Sequence, residues 1–487
     1  MALIVGVLAS GCSGDDCANG SCLSPDGGDA SSDAADAGSD VVVPQNCDLG
    51  ADITASPACI DDGIGVFVDA TNGNDTGLGT KASPFKTIAK ALGAVGAKPR
   101  IYVCAGTYAE DVSLTQTNAV GIFGGLKCAD WTYDGSQPVV GKSSLALHAD
   151  GVTKPIVISD VTFQAAAGAN AGDSSIAALV NASTDVTLRR VKLRPGAGKD
   201  GAAGTTGANW TTVAQDDPSI AGKSASGATG GADHACSICM DSVNSTGGGG
   251  GNGGLAGATG GNNGKPNLSA NAPDDGAGGA SGCKAGDNGA NASAATAAPG
   301  AAVVGKLTTA GWVPTPGSDG PNGGPGQGGG GGGGTNLAIN SGAGAGGGCG
   351  GCGGAGGKGG GGGGASIGLA VSASKVTLVA CDIVTLAGGA GGAGSSGQDG
   401  QLGGYAGTAN GGCAGGVGGT GATGGAGGGG AGGSSVGVLY AGNKPAIDQA
   451  TNIVVPASPA TKGAGGAAGV NDGIDGVAQA TFQASTN

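Results

Sequence analysis

Cysteines are the residues of this chain whose spacing most directly suggests chemistry. Cys236-x-x-Cys239 and Cys349-x-x-Cys352 have the spacing of a four-thiolate zinc site. In an exported chain the same thiols form disulfides, and a total of 14 cysteines suits an oxidising compartment. Disulfides are the favoured interpretation, with further candidates at Cys17, Cys22, Cys47, Cys59, Cys104 and Cys128. Spacing leaves open the connectivity of the two motifs and of Cys283, Cys381 and Cys413.

Oxygen-bearing side chains cluster where an early strand ends. Asp69, Asn72, Asn74 and Asp75 could bind calcium in one loop, because this cation takes carboxylate and amide oxygens. Asn and Asp around Gly73 serve a tight turn equally well. The turn is the favoured interpretation, so no cofactor is predicted and calcium remains the alternative.

Three bases alternate with apolar residues in a predicted strand. Arg190, Lys192 and Arg194 are interleaved with Val191 and Leu193, which places the bases on the outer face of a sheet. Such a face could contact an acidic polysaccharide. A solvated face that also discourages edge pairing is the alternative interpretation, and the pattern favours it.

The sequence predicts no catalytic site. His148 and His234 are the only histidines, and neither has an obvious nucleophile partner. A polysaccharide lyase or glycoside hydrolase on a β scaffold remains the alternative function. It would need a base and a carboxylate cluster on neighbouring strands of one sheet.

Composition restricts the possible partners. Glycine accounts for 116 of 487 residues and aromatic residues for 3%, so a single large core is not expected. The net charge of −14 argues against nucleic acid or anionic lipid as the main partner, since both demand a basic surface.

The N-terminus predicts export. Residues 1–11 form an apolar run that ends in small residues before Cys12, and it is too short to cross a bilayer. Residues 8–12 resemble a bacterial lipobox, which implies cleavage before Cys12 and acylation of that cysteine. Ser13 at the next position favours the outer membrane. A buried helix or strand of a globular domain is the alternative. The acidic, glycine- and serine-rich stretch up to residue 46 predicts a flexible tether.

The segment that follows the tether predicts short strands and one helix. Alternating apolar residues at 66–69 indicate a strand, and Ser83-Pro84 predicts the start of a helix over residues 85–92. Short strands follow over 101–110, 112–114 and 120–125. These segments, from "VFVDATNGNDTGLGTKASPFKTIAKAL" to "IYVCAGTYAEDVSL", resemble the N-terminal module of right-handed parallel β-helix surface proteins related to the pectin-lyase-like fold. The resemblance covers about residues 64–195. It implies that the Pro-Phe helix caps the coil, and it implies no activity.

Internal repeats independently predict a solenoid. Residues 175–188 recur as 366–378 with one residue deleted, and 157–163 and 435–440 are further copies. Each copy is a few period-two strands that cannot bury their apolar side alone, so the copies must stack. Cys104 and Cys128 lie 24 residues apart, which is about one turn of a three-sided coil, and they are predicted to pair. Cys47 and Cys59 are predicted to form a second pair where the folded domain begins.

Glycine recurs at every third residue in two long insertions. One run begins at Gly198, Gly201 and Gly204, and another extends from Gly412 to Gly433. This period matches a polyproline-type helix with glycine on one edge, where a neighbouring helix can approach closely. A flexible linker is the alternative. The insertions also resemble those of PE-PGRS proteins.

The predicted fold is all-β: a right-handed parallel β-helix solenoid with an N-terminal capping helix and glycine-rich, polyglycine-type insertions. Its predicted parts are a signal peptide (1–11), a tether (12–46), the cap and first rungs (47–195), an insertion (196–364), a rung (365–387), a second insertion (388–433) and the last rungs (434–487). The predicted function is that of a cell-surface lipoprotein with a structural, adhesive or glycan-contacting role. The predicted partners are polysaccharide or other surface components, and the lipid anchor is the only predicted membrane contact.

Overall fold

A computed structural model describes residues 43–255, 257–268, 276–336, 342–467 and 469–484. The predicted signal peptide, most of the tether, Cys12, Cys17 and Cys22 lie outside the described residues. In the described ranges, no helix has both the length and the apolar character needed to cross a membrane.

The described part of the chain is almost entirely β. It contains one α-helix, α1 (Ile88–Ala94), and a 3-10 turn at Pro57–Cys59. The strands are β1 (Gly65–Val68), β2 (Arg100–Cys104), β3 (Thr107–Tyr108), β4 (Val112–Leu114), β5 (Gly121–Leu126), β6 (Tyr133–Ser136), β7 (Val139–Val140), β8 (Leu145–Asp150), β9 (Ile156–Ser159), β10 (Thr162–Gln164), β11 (Ser175–Asn181), β12 (Val186–Arg189), β13 (Lys192–Arg194), β14 (His234–Ala235), β15 (Thr246–Gly247), β16 (Gly305–Thr308), β17 (Gly311–Pro314), β18 (Ser366–Ser372), β19 (Val376–Val379), β20 (Asp382–Val384), β21 (Ser435–Ala441), β22 (Ala446–Ile447), β23 (Asn452–Val454) and β24 (Ala478–Gln483).

Three parallel sheets make up the scaffold. The first sheet runs β1-β2-β5-β9-β12-β19-β22, with β6 antiparallel to β5. The second runs β3-β7-β10-β13-β20-β23 and the third β4-β8-β11-β18-β21-β24. From β2 onward, successive strands visit the three sheets in turn, and we call each set of three a rung. The exceptions are β6 and two antiparallel pairs outside these sheets, β14 with β15 and β16 with β17. This arrangement is consistent with a β-helix solenoid.

Aliphatic side chains stack in register from rung to rung and form the core. In the first sheet one unbroken column of buried residues runs through Val66, Ile101, Ile122, Ile158, Leu188 and Leu378. Each rung leaves its apolar side bare until the next rung covers it. The burial of these columns therefore stabilises the stack as a whole.

The structure confirms the predicted repeat of residues 175–188, 366–378 and 435–440. Residues 157–163 are not a further copy of β11, because Val157 pairs with Thr187 in the first sheet and Phe163 pairs with Leu193 in the second. Ser175 of β11 pairs with Ser366 of β18, and Ser366 pairs with Ser435 of β21. The copies are therefore consecutive neighbours in the third sheet although 191 residues separate the first two. The long insertion leaves the scaffold after β13 and returns at β18.

Helix α1 begins later than the Ser83-Pro84 signal predicts. Thr87 is its N-cap, and the Thr87 hydroxyl accepts a hydrogen bond from the amide of Lys90. Phe85 stays extended and bridges to Val68. The carboxylate of Glu110 accepts bonds from the amides of Ile88 and Ala89, so a side chain distant in sequence satisfies the first turn.

Backbone hydrogen bonds with a period of three connect the glycine-rich segments. The donor amides lie at Gly348, Gly351, Gly354, Gly357, Gly360 and Gly363, and the acceptors are the carbonyls of Gly416, Gly419, Ala422, Gly425, Gly428 and Ala431. Neighbouring glycines face different segments. A Cβ atom on Gly330, Gly331 or Gly332 would lie 1.9, 2.0 or 2.1 Å from the carbonyl oxygen of Ala277, Gly249 or Cys413. The absence of side chains allows this close approach of backbones.

The predicted run of rungs over residues 434–487 is interrupted. Between β23 and β24 the chain joins the glycine-rich segments: Gly463 donates to the Gly430 carbonyl, and Gly429 donates to that of Asn471. Gly463 and Gly466 are three residues apart, and so are Gly473 and Gly476. This short excursion was missed because its glycines are fewer than those of the two long insertions.

Candidate functional site

Among the described residues, ten cysteines form five disulfides. Cys47 pairs with Cys59 and Cys104 with Cys128, at Cα separations of 4.7 and 5.0 Å. The other three are Cys236–Cys349, Cys239–Cys352 and Cys283–Cys413. Cys381 is free and buried, and burial raises the pKa of its thiol to about 11.

The two C-x-x-C motifs pair with each other and not within themselves. Both disulfides join residues that are 113 positions apart. The second disulfide therefore lies three residues after the first along each of the two segments. Three extended residues span about 9 Å, which is too far for one zinc ion to reach all four sulfurs. His234 lies within 4.8 Å of the sulfurs of Cys236 and Cys349, but those sulfurs are bonded to each other. The zinc interpretation therefore does not fit these residues.

The turn after β1 uses its oxygens within the protein. The Asp69 carboxylate accepts bonds from the amides of Thr71 and Asn72 at 2.8 and 3.1 Å. The Asp75 carboxylate accepts from the amide and the hydroxyl of Thr87, the N-cap of α1, both at 3.0 Å. The Asn74 side chain accepts from the amide of Thr76, and Asn72 donates to Asp69. This arrangement favours the turn over the calcium loop.

Arg190 does not share the face of Lys192 and Arg194. It occupies the corner between β12 and β13 with a positive φ of 50°, as do Asp160 and Ala380 on the adjacent rungs. Its guanidinium contacts Asp160 and Asp52, both at 2.7 Å. The hydrogen bond to Asp160 makes the largest contribution to raising the pKa of Arg190. The alternation of bases and apolar residues placed Arg190 on the wrong face, because that prediction requires one strand to continue through the corner.

Asp52 brings the N-terminal segment onto the first sheet. Partial burial acts to raise the pKa of its carboxyl, but the hydrogen bonds from Arg190 and Thr54 outweigh burial and hold that pKa well below its usual range. The same segment contributes Ile53 to a second apolar cluster, which includes Phe67 and Tyr102 on the outer face of the sheet. The aromatic outer face of the first rungs is therefore covered.

Lys192 and Arg194 lie on the outer face of the second sheet. Lys192 is exposed, whereas Arg194 forms a salt bridge with Asp382 on the next rung. Two adjoining depressions of about 420 and 380 Å³ follow this face and share Gln164 as a lining residue. Arg194 lines the second depression, and Lys142 lines the first. The face therefore offers a shallow groove with a mixed polar and apolar lining and a partly neutralised positive charge.

A third depression, of about 360 Å³, lies on the glycine-rich segments and was not found from the sequence. Tyr405 lines it together with a loop that follows Trp210. Its polar lining residues include Asp216, Lys223 and Thr408. The signal that could have found it is an aromatic residue within a glycine-rich tract, where there is no apolar core to bury the ring.

Comparison with known proteins supports the fold. The class that the structure defines is a nearly all-β protein of stacked parallel sheets, consistent with a β-helix solenoid. The model of a family described as "Protein of unknown function (DUF1565)", which is associated with parallel β-helix proteins, matches residues 71–121. No curated protein and no solved structure matches the chain significantly.

Proposed function

We propose that this protein is an exported, non-catalytic surface protein whose solenoid carries a rigid glycine-rich platform for adhesive or glycan contact. The observation that carries the proposal is the backbone-to-backbone packing of the glycine-rich segments. In these segments the amides of every third residue bond to neighbouring segments over long stretches. A flexible linker would not need such packing, whereas a display surface requires a fixed shape.

The finer architecture belongs to the same proposal. The scaffold is a right-handed coil, the hand that parallel crossover connections almost always take. Helix α1 caps its first rung, where Ile88 and Ala91 pack in the same core cluster as Val66 and Val68. The glycine-rich segments are polyglycine-type helices with three residues per turn, since successive amides such as those of Gly418 and Gly419 donate to different neighbours.

The charged residues of the scaffold support a role without catalysis. Asp160 and Asp52 bond to Arg190, and Asp382 bonds to Arg194, so these carboxylates serve ion pairs. A lyase would need a base free to accept a proton within reach of a bound sugar. Pairing to arginine occupies these carboxylates with contacts inside the protein.

Export and surface anchoring complete the proposal. The five disulfides suit an oxidising compartment. Cys12 is the proposed acylation site, with the outer membrane as the destination. Labelling cells with an acyl analogue should mark the full-length protein and leave Cys12→Ala unmarked. Labelling that survives the substitution contradicts the lipid anchor.

The function is tested by incubating the folded protein with a panel of neutral and acidic polysaccharides. Retention of the protein on at least one insoluble polysaccharide, without any rise in absorbance from unsaturated products and without new reducing ends, is the expected result. Product formation would establish the lyase or hydrolase alternative. Failure of every polysaccharide to retain the protein would remove glycan contact from the proposal.

A further inference from the structure

We propose that the depression around Tyr405 is a binding site for a neutral oligosaccharide, with Tyr405 and Trp210 as the stacking residues. This inference rests on the proposed surface-binding function and assigns the contact to one place. We call this depression, with Trp210 beside it, the Tyr405 surface. No resemblance or comparison assigns a role to these residues.

Exposure distinguishes the two rings from most other aromatic side chains. Tyr405 is 51% exposed, and Trp210 is half-buried. In contrast, Trp131 and Trp312 are only 5% and 6% exposed, and Tyr102 is fully buried. An exposed aromatic ring does not gain the free energy of burial in the folded protein, but it gains it when a ligand covers the ring. In a chain with 3% aromatic residues, this placement indicates a contact surface.

Hydrogen bonds hold the backbone of Tyr405 and the indole ring of Trp210. The Tyr405 amide donates to the Gln215 carbonyl, and the Tyr405 carbonyl accepts from the Gly222 amide, both at 2.8 Å. The Trp210 indole N–H donates to the carbonyl of Asp399 at 2.9 Å. A bonded ring, or a ring on a fixed backbone, has less conformational freedom to lose when a ligand binds.

A disulfide anchors the loop that forms one wall. Val213 and Ile220 pack with Cys236 and Cys349, which are bonded to each other. The Ile220 carbonyl also accepts the amide of Cys349. The loop is therefore fastened to the glycine-rich segments, and the depression is preformed.

The lining favours an uncharged sugar. Asp216 and Lys223 contribute one charge of each sign, and Ser224 and Thr408 contribute hydroxyl groups. A pyranose ring has an apolar C–H face that stacks on an aromatic ring, and hydroxyls at its edge that pair with such groups. A chain with net charge −14 also disfavours an anionic ligand.

The spacing of the two rings favours an oligosaccharide over a single sugar. Trp210 bonds at Asp399, and Tyr405 lies six residues further along the same segment. At about 3.1 Å per residue this is roughly 19 Å. Leu402, which is 57% exposed, lies midway. A linear glycan of a few units would cover all three side chains.

The proposal is tested by titrating the protein with neutral oligosaccharides of glucose, xylose and N-acetylglucosamine. Uronate oligosaccharides are titrated in parallel as acidic ligands. Calorimetry measures affinity, and tryptophan fluorescence reports on Trp210 because Trp131 and Trp312 are buried. We expect a neutral oligosaccharide to bind and to shift the fluorescence. Tyr405→Ala should weaken binding about tenfold or more, and Val470→Ala, which alters an exposed residue outside the Tyr405 surface, should leave affinity unchanged. Thermal unfolding checks that both variants fold.

The outcomes separate this inference from the proposed function. If Tyr405→Ala binds the same oligosaccharide as tightly as wild type, or only uronates bind, the Tyr405 surface is not the site, although polysaccharide retention still stands. If a protein ligand and no sugar protects Tyr405 from chemical modification, the assignment to a glycan is wrong. If no polysaccharide retains the wild type, both proposals fail.

Discussion

Adjacent glycines in one segment give a sharp test of the backbone packing. Gly323 is buried, and a Cβ atom there would lie 2.1 Å from the carbonyl oxygen of Ala422. Gly324 is exposed, and a Cβ atom there would meet nothing within 4 Å. We therefore expect Gly323→Ala to destabilise the glycine-rich segments strongly and Gly324→Ala to be tolerated.

The magnitude follows from the distances. Ordinary contacts of a Cβ atom lie at 3.4–4 Å, so the segments around Gly323 must separate by about 1 Å. The Gly323 amide donates to the Gly354 carbonyl, and Gly354 donates to Ala422, both at 2.8 Å. Loss of these two bonds at about 1 kcal/mol each, with overpacking of about 1–3 kcal/mol, gives a destabilisation of about 3–5 kcal/mol.

Native-state hydrogen exchange with chemical denaturation is the assay. In Gly323→Ala, every 2 kcal/mol of destabilisation should accelerate hydrogen exchange of the Gly354 amide about thirtyfold relative to wild type. Gly324→Ala should keep wild-type protection. In a flexible linker, both substitutions would be neutral or slightly stabilising, because alanine only restricts the unfolded chain. Equal behaviour of the two variants, or coil-like exchange of residues 388–433 in wild type, would refute the packing argument.

Three further predictions concern the scaffold. The pKa of Asp52 is lowered in the folded protein, so its contribution to stability is present above the unfolded pKa of about 4 and is lost as pH falls below it. Asp52→Asn should therefore cost about 1–2 kcal/mol at pH 7, and this cost should shrink progressively as pH falls from about 4 toward the lowered folded pKa, as measured by urea denaturation. Cys381, with a pKa of about 11, should resist alkylation at pH 8 until the protein is unfolded, and peptide mapping would detect early modification. Gly93 lies in α1 with open space around it, so Gly93→Ala should raise stability by about 0.5–1 kcal/mol. A lower melting temperature would contradict the helix assignment there.

The sequence by itself determined the features that depend on local patterns. Period-two strands, their recurrence at 175–188 and 366–378, and the spacing of Cys104 and Cys128 predicted stacked parallel rungs, because each rung needs a neighbour to cover its apolar side. The period-three glycines likewise predicted segments with one edge open to close approach, though a flexible linker fitted the same pattern.

Tertiary structure decided which distant groups meet. It placed Arg190 at a corner between two carboxylates, satisfied the first turn of α1 with Glu110, and joined Cys236 to Cys349 across 113 residues. It also brought the loop after Trp210 beside Tyr405. None of these contacts is encoded by neighbours in the sequence, because each joins segments that only the stacking of rungs or the packing of the insertions brings together. Side chains at corners and on the faces of packed segments take their partners from whichever segment the fold brings alongside.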